Sequence, residues 1–469
     1  MRCARCGGKP RERSSSWDPN EACFQEDLGS RYPERDNRMK IVKHMLAAMS
    51  VALVSGLPLH AQDGATLLRA ERMLDVESGQ MHQDVAVLVV DGRILAVNPA
   101  NVPNGARELN LGDVTLLPGF IDSHTHLSSQ LGPGSFTRPV IGTLADAAIN
   151  AVRFGGITVR AGFTTVRDFG GDATVALAHA VERGEVIAPR VVPSRNSLGI
   201  TGGHCDATGF APGILENGPE DGVADGPWEV AASVRYQIKH GAKVIKTCAT
   251  AGVLSMEGPV GAQQYSLIEL EAMVKEASRH GVKVAAHAHG SEGILAAVQA
   301  GVASIEHGSM LTDEIMDLMI EKGTYLVPTT YLADVIDLDV LPPLVRDKAE
   351  LILPIARASL ARAIEAGVPL AFGTDAAVYP HGDNAREFAV YVRMGMTELE
   401  ALQSATIHAS DLLDVDDRGR IEEGLLADLV AVPGDPLDDI TVTENVVFVM
   451  LGGRVIKHVV EGKNVPISD

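Results

Sequence analysis

The sequence predicts an α/β protein: a (β/α)8 barrel inserted in a small β-sandwich built from the two ends of the chain. Three observations predict it. A phrase of helix end, glycine, short apolar strand and polar residue recurs six times between residues 160 and 375. The segments between the copies carry helical periodicity. The flanks on either side instead alternate apolar and polar residues and turn at DG and GG, as β-hairpins do.

Residues 1–38 hold Cys3, Cys6 and Cys23 in an Arg/Ser/Glu-rich stretch without periodicity, and no second pair follows to complete a zinc knuckle. Residues 39–61 place Lys40 and Lys43 before an apolar run and a small residue before Gln62, the pattern of a secretory signal peptide. The run is too short for a membrane span. The folded chain is therefore expected to begin near Gln62, in a protein that is exported, periplasmic or secreted.

Residues 62–116 form the first part of the sandwich, with strand patterns in TLLRAERMLDV and DVAVLVVDGRILAV. Residues 418–469 form the second, through LADLVAVPG and NVVFVMLGGRVIK. Between them, residues 117–417 are the barrel. Its first strand ends in PGFIDSHTH. Six further strands are the repeated copies RAG-FTTVRD, KHG-AKVIKT, RHG-VKVAAH, QAG-VASIEH, EKG-TYLVPT and EAG-VPLAFGTD, and RVVPSRN makes the eighth. Glycines 162, 241, 281, 301, 323 and 367 each stand where a helix C-terminus takes a left-handed residue. The strands after them are near-continuous apolar runs, as in a parallel sheet buried on both faces. A representative helix, SLIELEAMVKEASRH, opens with Ser266 and Glu269 in capping-box spacing and carries apolar residues at 267, 270, 274 and 277.

Composition narrows the partners. The chain has 469 residues, 46% hydrophobic and 22% charged, with a formal net charge of −21. That charge opposes nucleic acid and anionic membrane surfaces. Beyond residue 61 only Cys205 and Cys248 remain, too few for a disulfide framework.

Function in such a barrel sits at the C-terminal strand ends. Those ends carry Asp168, Lys246, His287 with His289, His307 and Asp375, and the first strand adds His124 and His126. Residues two apart on a strand point the same way, so His124 and His126 make a bite for a metal ion; alternatively they are polar residues on a strand edge. Counted from the preceding glycine, Lys246 is at +5 and His287 and His307 are both at +6. An ammonium has no lone pair for a metal. Burial lowers a lysine pKa, and a neutral amine can add carbon dioxide to give a carbamate, whose two oxygens would bridge metals about 3.5–4 Å apart. The alternative for Lys246 is an amine reaching from the strand end to water.

Taken together, PGFIDSHTH, TTVRDFGG, ITGGHCD, VIKTCAT, AAHAHG, SIEHGS, AFGTDA and LADLVAVPGDP resemble the amidohydrolase superfamily, in its imidazolonepropionase-like and Xaa-Pro dipeptidase-like branch. The motifs run in the family's order from about residue 65 to the end. The resemblance implies two divalent ions, usually zinc: His124 and His126 on one, with Asp375, and His287 and His307 on the other, bridged by carboxylated Lys246. Alternation leaves His287 and His289 open as ligands. The equal offsets of His287 and His307 favour His287, which turns His289 toward substrate or into a supporting hydrogen bond.

His204, after the third strand, is a candidate for contacting the substrate carbonyl or carboxylate, or is simply a loop histidine. Tyr265, after the fourth, is a candidate for polarising the scissile carbonyl, or is an aromatic packed beside a lid. Arg167 and Asp168 read as a structural pair under the site, and Cys205 as inert. The activity implied is hydrolysis of an amide bond to a C-terminal amino acid, in a dipeptide or an N-acyl amino acid, by metal-activated hydroxide with Asp375 moving the proton. Members of the branch cleave Xaa-Pro or Xaa-Arg dipeptides and mycotoxin amides such as ochratoxin A. One rival keeps the chemistry on a cyclic amide or imidazolone, and another is a non-catalytic barrel that only binds. Gly290 stands where imidazolonepropionases carry an acidic residue shortly after the equivalent histidine, and together with Lys246 this argues against imidazolone ring opening. The expected partners are a small-molecule or dipeptide substrate and further copies of the chain.

Overall fold

The computed structural model describes residues 64–460 and 463–464. The signal-like stretch and the three upstream cysteines lie outside the described residues. Among the described residues, no helix is long and apolar enough to cross a membrane.

The N-terminal flank gives β1 (Thr66–Leu74), β2 (Met81–Val90), β3 (Arg93–Val97), β4 (Arg107–Asn110) and β5 (Val114–Pro118). The barrel strands follow: β6 (Phe120–Thr125), β7 (Phe163–Asp168), β8 (Arg190–Pro193), β9 (Ile245–Cys248), β10 (Val284–Ala288), β11 (Ser304–His307) and β12 (Tyr325–Val327). The C-terminal flank supplies β13 (Leu429–Pro433), β14 (Phe448–Leu451), β15 (Arg454–Val460) and β16 (Lys463–Asn464).

The two flanks meet edge to edge. β5 pairs antiparallel with β13, in register from Leu429 opposite Pro118 to Pro433 opposite Val114. This joins both halves in one path, β16-β15-β14-β13-β5-β1-β2-β3, with β4 beside β1. Ile94 of β3 and Val455 of β15 stand far apart along that path yet share one buried cluster. The sheet therefore curls on itself, and the (β/α)8 barrel is inserted between its halves. Gly119 alone separates β5 from β6. Its backbone N–H donates to the Asp428 carbonyl at 2.8 Å, and a Cβ there would fall 2.1 Å from Thr164 Oγ1. The Pro-Gly in the first barrel motif thus marks the passage from sandwich to barrel.

The barrel strands form two parallel ladders, β6-β7-β8 and β9-β10-β11-β12. A bridge between Leu198 and Thr247 joins them on one side. On the other, the last of the expected strands, VPLAFGTD at residues 368–375, does not form a ladder. It makes single bridges, Leu370 to Leu326 and Ala376 to Thr125, and the Ser123 N–H donates to Phe372 O at 2.8 Å. The reason is local. A Cβ at Gly373 would lie 2.2 Å from Val327 Cγ1, so the segment is pressed close to its neighbours, and Asp375 then turns with φ of +57°. Helices pack outside, and the six repeat glycines all have positive φ; Gly301 and Gly323 close their helices as left-handed caps. Ser266 and Glu269 make the capping box in both directions.

Candidate active site and metal centre

His124, His126, His204, Lys246, His287, His289, His307 and Asp375 all line one cavity of about 1050 Å³ at the C-terminal ends of the barrel strands. The strands deliver them in different ways. His124 is within β6 and His126 lies just past its end; their Nε2 atoms stand 3.6 and 3.2 Å from Asp375 Oδ1. On β11, alternation sends Ser304 and Glu306 to one side, where both meet Arg167. The next residue, His307, should face away. A φ of +72° brings it back, with its ring 5.1 Å from that of His124 and 4.7 Å from that of His287. Thr329, which pairs with His307 Nδ1 at 2.7 Å, also has positive φ. Such backbone costs about 1–3 kcal/mol per residue and persists where the surroundings enforce it. The register also departs from the equal-offset reading: His307 lies opposite Ala288, one residue beyond His287.

Among the described residues, two groups of ligand atoms come within 4.8 Å of one another: His287, His289 and His307 in one, and His124, His307 and Asp375 in the other. They adjoin through His307. The residues fit metal ions on a further ground. His287 Nε2 is buried and has no hydrogen-bond partner, a costly state for a polar atom unless something is coordinated there. Three Nδ1 atoms are engaged from behind: His124 by Glu306 at 2.7 Å, His307 by Thr329 at 2.7 Å and His289 by Ser309 at 2.8 Å. Such partners hold imidazoles in a ligating orientation.

The electrostatics favour neutral imidazoles and ionised carboxylates. Burial, then Lys246, pushes His124 down to about 4; burial, then His204, pushes His289 down to about 3. His287 and His307 are likewise held well below the usual histidine range, first by burial. Burial raises Glu306, but Arg167 and His124 outweigh it and bring the carboxyl to about 2. Asp375 is lowered in the same manner, with burial opposed by His124, His126 and Lys246. Lys246 is 4% exposed, with Nζ 4.1 Å from the centre of the Phe169 ring. Burial brings its amine down to about 8, against the pull of Glu306 and Asp375.

Three expectations require correction. Tyr265 is fully buried in the barrel's outer core, and its hydroxyl donates to the Ala224 carbonyl at 3.0 Å. It does not reach the cavity, because an aromatic ring just before a helix cap has apolar neighbours to pack on. Its neighbour Gln264 faces the site region instead and accepts the His204 N–H at 3.1 Å. Arg167 and Asp168 are not paired with each other: Arg167 holds Glu306 and the Ser123 carbonyl, while Asp168 accepts from Thr125 and the Leu127 N–H. Cys205 and Cys248 form a disulfide with Cα atoms 5.8 Å apart. Glu306, Thr329, Ser309, Ser255 and Glu257 were not expected from the sequence. Only Glu306 carries a signal there, as an acidic residue within the repeated strand phrase VASIEH.

Residues 115–465 match the family model described as the amidohydrolase family. Ochratoxinase of Aspergillus niger is 33% identical over 410 residues, which cover 79% of this chain and 83% of that protein. Among solved structures, a Xaa-Pro dipeptidase with bound methionine in its active site is 38% identical, with a TM-score of 0.79, covering 83% of this chain and 99% of that one. A prolidase complexed with N-methylphosphonate-L-proline is 33% identical, with a TM-score of 0.78, covering 84% of this chain and 100% of that one. A family match that takes in the whole barrel, and relatives about a third identical along most of both chains, lead to one conclusion: this chain belongs to the amidohydrolase family, whose members are metal-dependent hydrolytic enzymes.

Proposed function

We propose that the chain hydrolyses an amide bond to a C-terminal amino acid, in a dipeptide or an N-acyl amino acid, at a centre of two divalent metal ions. The observation that carries this reading is Lys246, an amine buried among imidazoles and lowered to about 8. A neutral amine attacks carbon dioxide, loses a proton and becomes a carbamate, an anionic bridging group suited to this place. Zinc suits the nitrogen and oxygen donors. The ions would supply Lewis acidity and an acidified water.

The chain's own residues do the rest. Glu306 holds His124 in one tautomer. Asp375, ionised and beside His126, takes a proton from the attacking water and returns it to the leaving nitrogen, as general base and then general acid. His289 and His204 line the cavity beside these groups and bind the substrate's polar end. Leu131, Val253, Leu254, Ile336, Ile352 and Leu353 give the same cavity an apolar wall for the acyl side. The relatives named for ochratoxin, Xaa-Pro and prolidase activity support an amide of this kind. Imidazolone chemistry is disfavoured at position 290, where any Cβ would lie 2.0 Å from Gly261 O. The disulfide supports the export reading, since such bonds persist in oxidising compartments.

The test is a library of dipeptides and N-acyl amino acids incubated with metal-reconstituted protein, with release of the free amino acid measured. Hydrolysis should need the free carboxyl group. Turnover of cyclic amides alone would overturn the reading.

A further inference from the structure

The Cys205–Cys248 disulfide stands at the candidate site and not on the surface. Both sulfur-bearing residues line the cavity. Cys248 lies two residues beyond Lys246 on β9, so the two side chains leave the strand on one face. Cys205 directly follows His204. We infer that this disulfide positions His204 for substrate binding, so that reducing one bond weakens binding while leaving the metal ligands in place. The inference rests on the proposed amide hydrolysis for its kinetic arm only.

The attachment of His204 shows why one bond matters. The chain leaves the barrel at Leu198, which exchanges backbone hydrogen bonds with Lys246 and Cys248, and at Gly199, which pairs with Gly222 and Ala224. From there to residue 206 the backbone hydrogen bonds are internal turns, Gly203 to Ile200 and Asp206 to Gly203. Side chains add Gln264 Oε1 on the His204 N–H and Asp225 on Thr201. The disulfide is the covalent tie back to β9. It also draws the turn tight, because a Cβ at Gly199 would fall 2.7 Å from Cys205 Cβ.

The His204 ring itself fills a fitted slot. It lies against Gly252, where any Cβ would be 2.2–2.5 Å from three ring atoms. It also meets the His287 ring, with centroids 4.2 Å apart. Nδ1 is engaged by Ser255 Oγ at 2.6 Å, with Glu257 Oε1 at 3.3 Å, and Ser255 in turn donates to Glu257. Nε2 is thereby left for a ligand. A slot this close tolerates little displacement of the backbone at 204, and the disulfide sets that backbone.

A dithiol reductant reaches Cys205 first, since Cys205 is partly exposed and Cys248 is 2% exposed. It transfers two electrons and two protons, leaving both cysteines as thiols and itself as a disulfide.

The experiment compares the oxidised protein, the same protein reduced with a dithiol, and the Cys205→Ser/Cys248→Ser variant, each with metal content measured. KM for an N-acyl amino acid should rise about tenfold on reduction, as for loss of one hydrogen bond to a charged group, with kcat within about a factor of two. The double variant should match the reduced protein and ignore reductant. Backbone amides 199–206 should exchange hydrogen for deuterium faster in both. An unchanged KM with thiols confirmed free overturns the inference, as does unchanged exchange. Metal loss with a parallel fall in kcat also overturns it, since the bond would then support the metal centre. If the oxidised protein cleaves no amide, the proposed function fails, and the exchange comparison alone decides the inference.

Discussion

His124 and Glu306 are 182 residues apart in sequence and 2.7 Å apart in space. The Glu306 carboxylate accepts a hydrogen bond from Nδ1–H of His124, which leaves Nε2 free to face Asp375 and the cavity. Arg167 holds the other carboxylate oxygen at 2.7 Å. The His124 imidazole is thus oriented from behind by a buried ion pair.

Replacing Glu306 by Gln should therefore weaken metal binding by about 10–100-fold, the usual effect of losing such a partner. It also strands the Arg167 charge, and breaking a buried pair in this way costs about 3–5 kcal/mol, so the melting temperature should drop. Metal affinity is read by competition with a chelator. An unchanged affinity would show that the tautomer is set by something else.

His287 and His289 can be separated by metal content. Nε2 of His287 is buried without a hydrogen-bond partner, which supports a ligand role, and the proposed function turns His289 toward the substrate. The His287→Ala variant should lose one ion per chain, and His289→Ala should keep both and lose substrate affinity. Elemental analysis showing the reverse pattern would exchange the two roles.

Asp375→Asn should lower kcat by at least about 10²–10⁴-fold, because an amide still offers an oxygen but accepts no proton at neutral pH. KM should move far less. The backbone at 375 has φ of +57°, a conformation Asn tolerates well, so the fold should survive. Near-normal turnover with full metal content would remove Asp375 from the chemistry.

Glu387 governs part of the pH dependence of stability. It is fully buried, and burial raises its carboxyl from 4.5 to about 8 although Thr330 and Tyr331 donate their backbone N–H groups to it. A folded value above the unfolded one means that folding takes up a proton within this window. Stability from this group is complete below about pH 4.5 and is lost as pH rises through about 8. Glu387→Gln should melt lower, with one N–H left unpaired, and its melting temperature should lose this slope. An identical slope in both proteins would show that Glu387 titrates normally.

The barrel is legible in the sequence because its period is set by helix ends. A left-handed glycine followed by a buried strand is a local signal, and it places six of the strands. The last of the six forms no ladder, because Gly373 within it serves a close approach rather than a helix cap, and nothing local distinguishes the two. Histidines at the mouth are legible for the same reason as the strands. The role of Glu306 is not, since its partners His124 and Arg167 come from β6 and β7 and meet it only once the barrel closes. Tyr265 misleads because chain position puts a residue near the mouth but does not say which way its ring points.

A two-metal centre at the mouth of this barrel should be what cleaves the amide. The most direct measurement is hydrolysis of an N-acyl amino acid by metal-free protein as divalent ion is added stepwise. There should be no turnover without metal, and a rise that saturates at about two equivalents per chain, with bicarbonate required for full recovery if Lys246 must be carboxylated. Full turnover in the rigorously metal-free protein would contradict a metal-centred reaction.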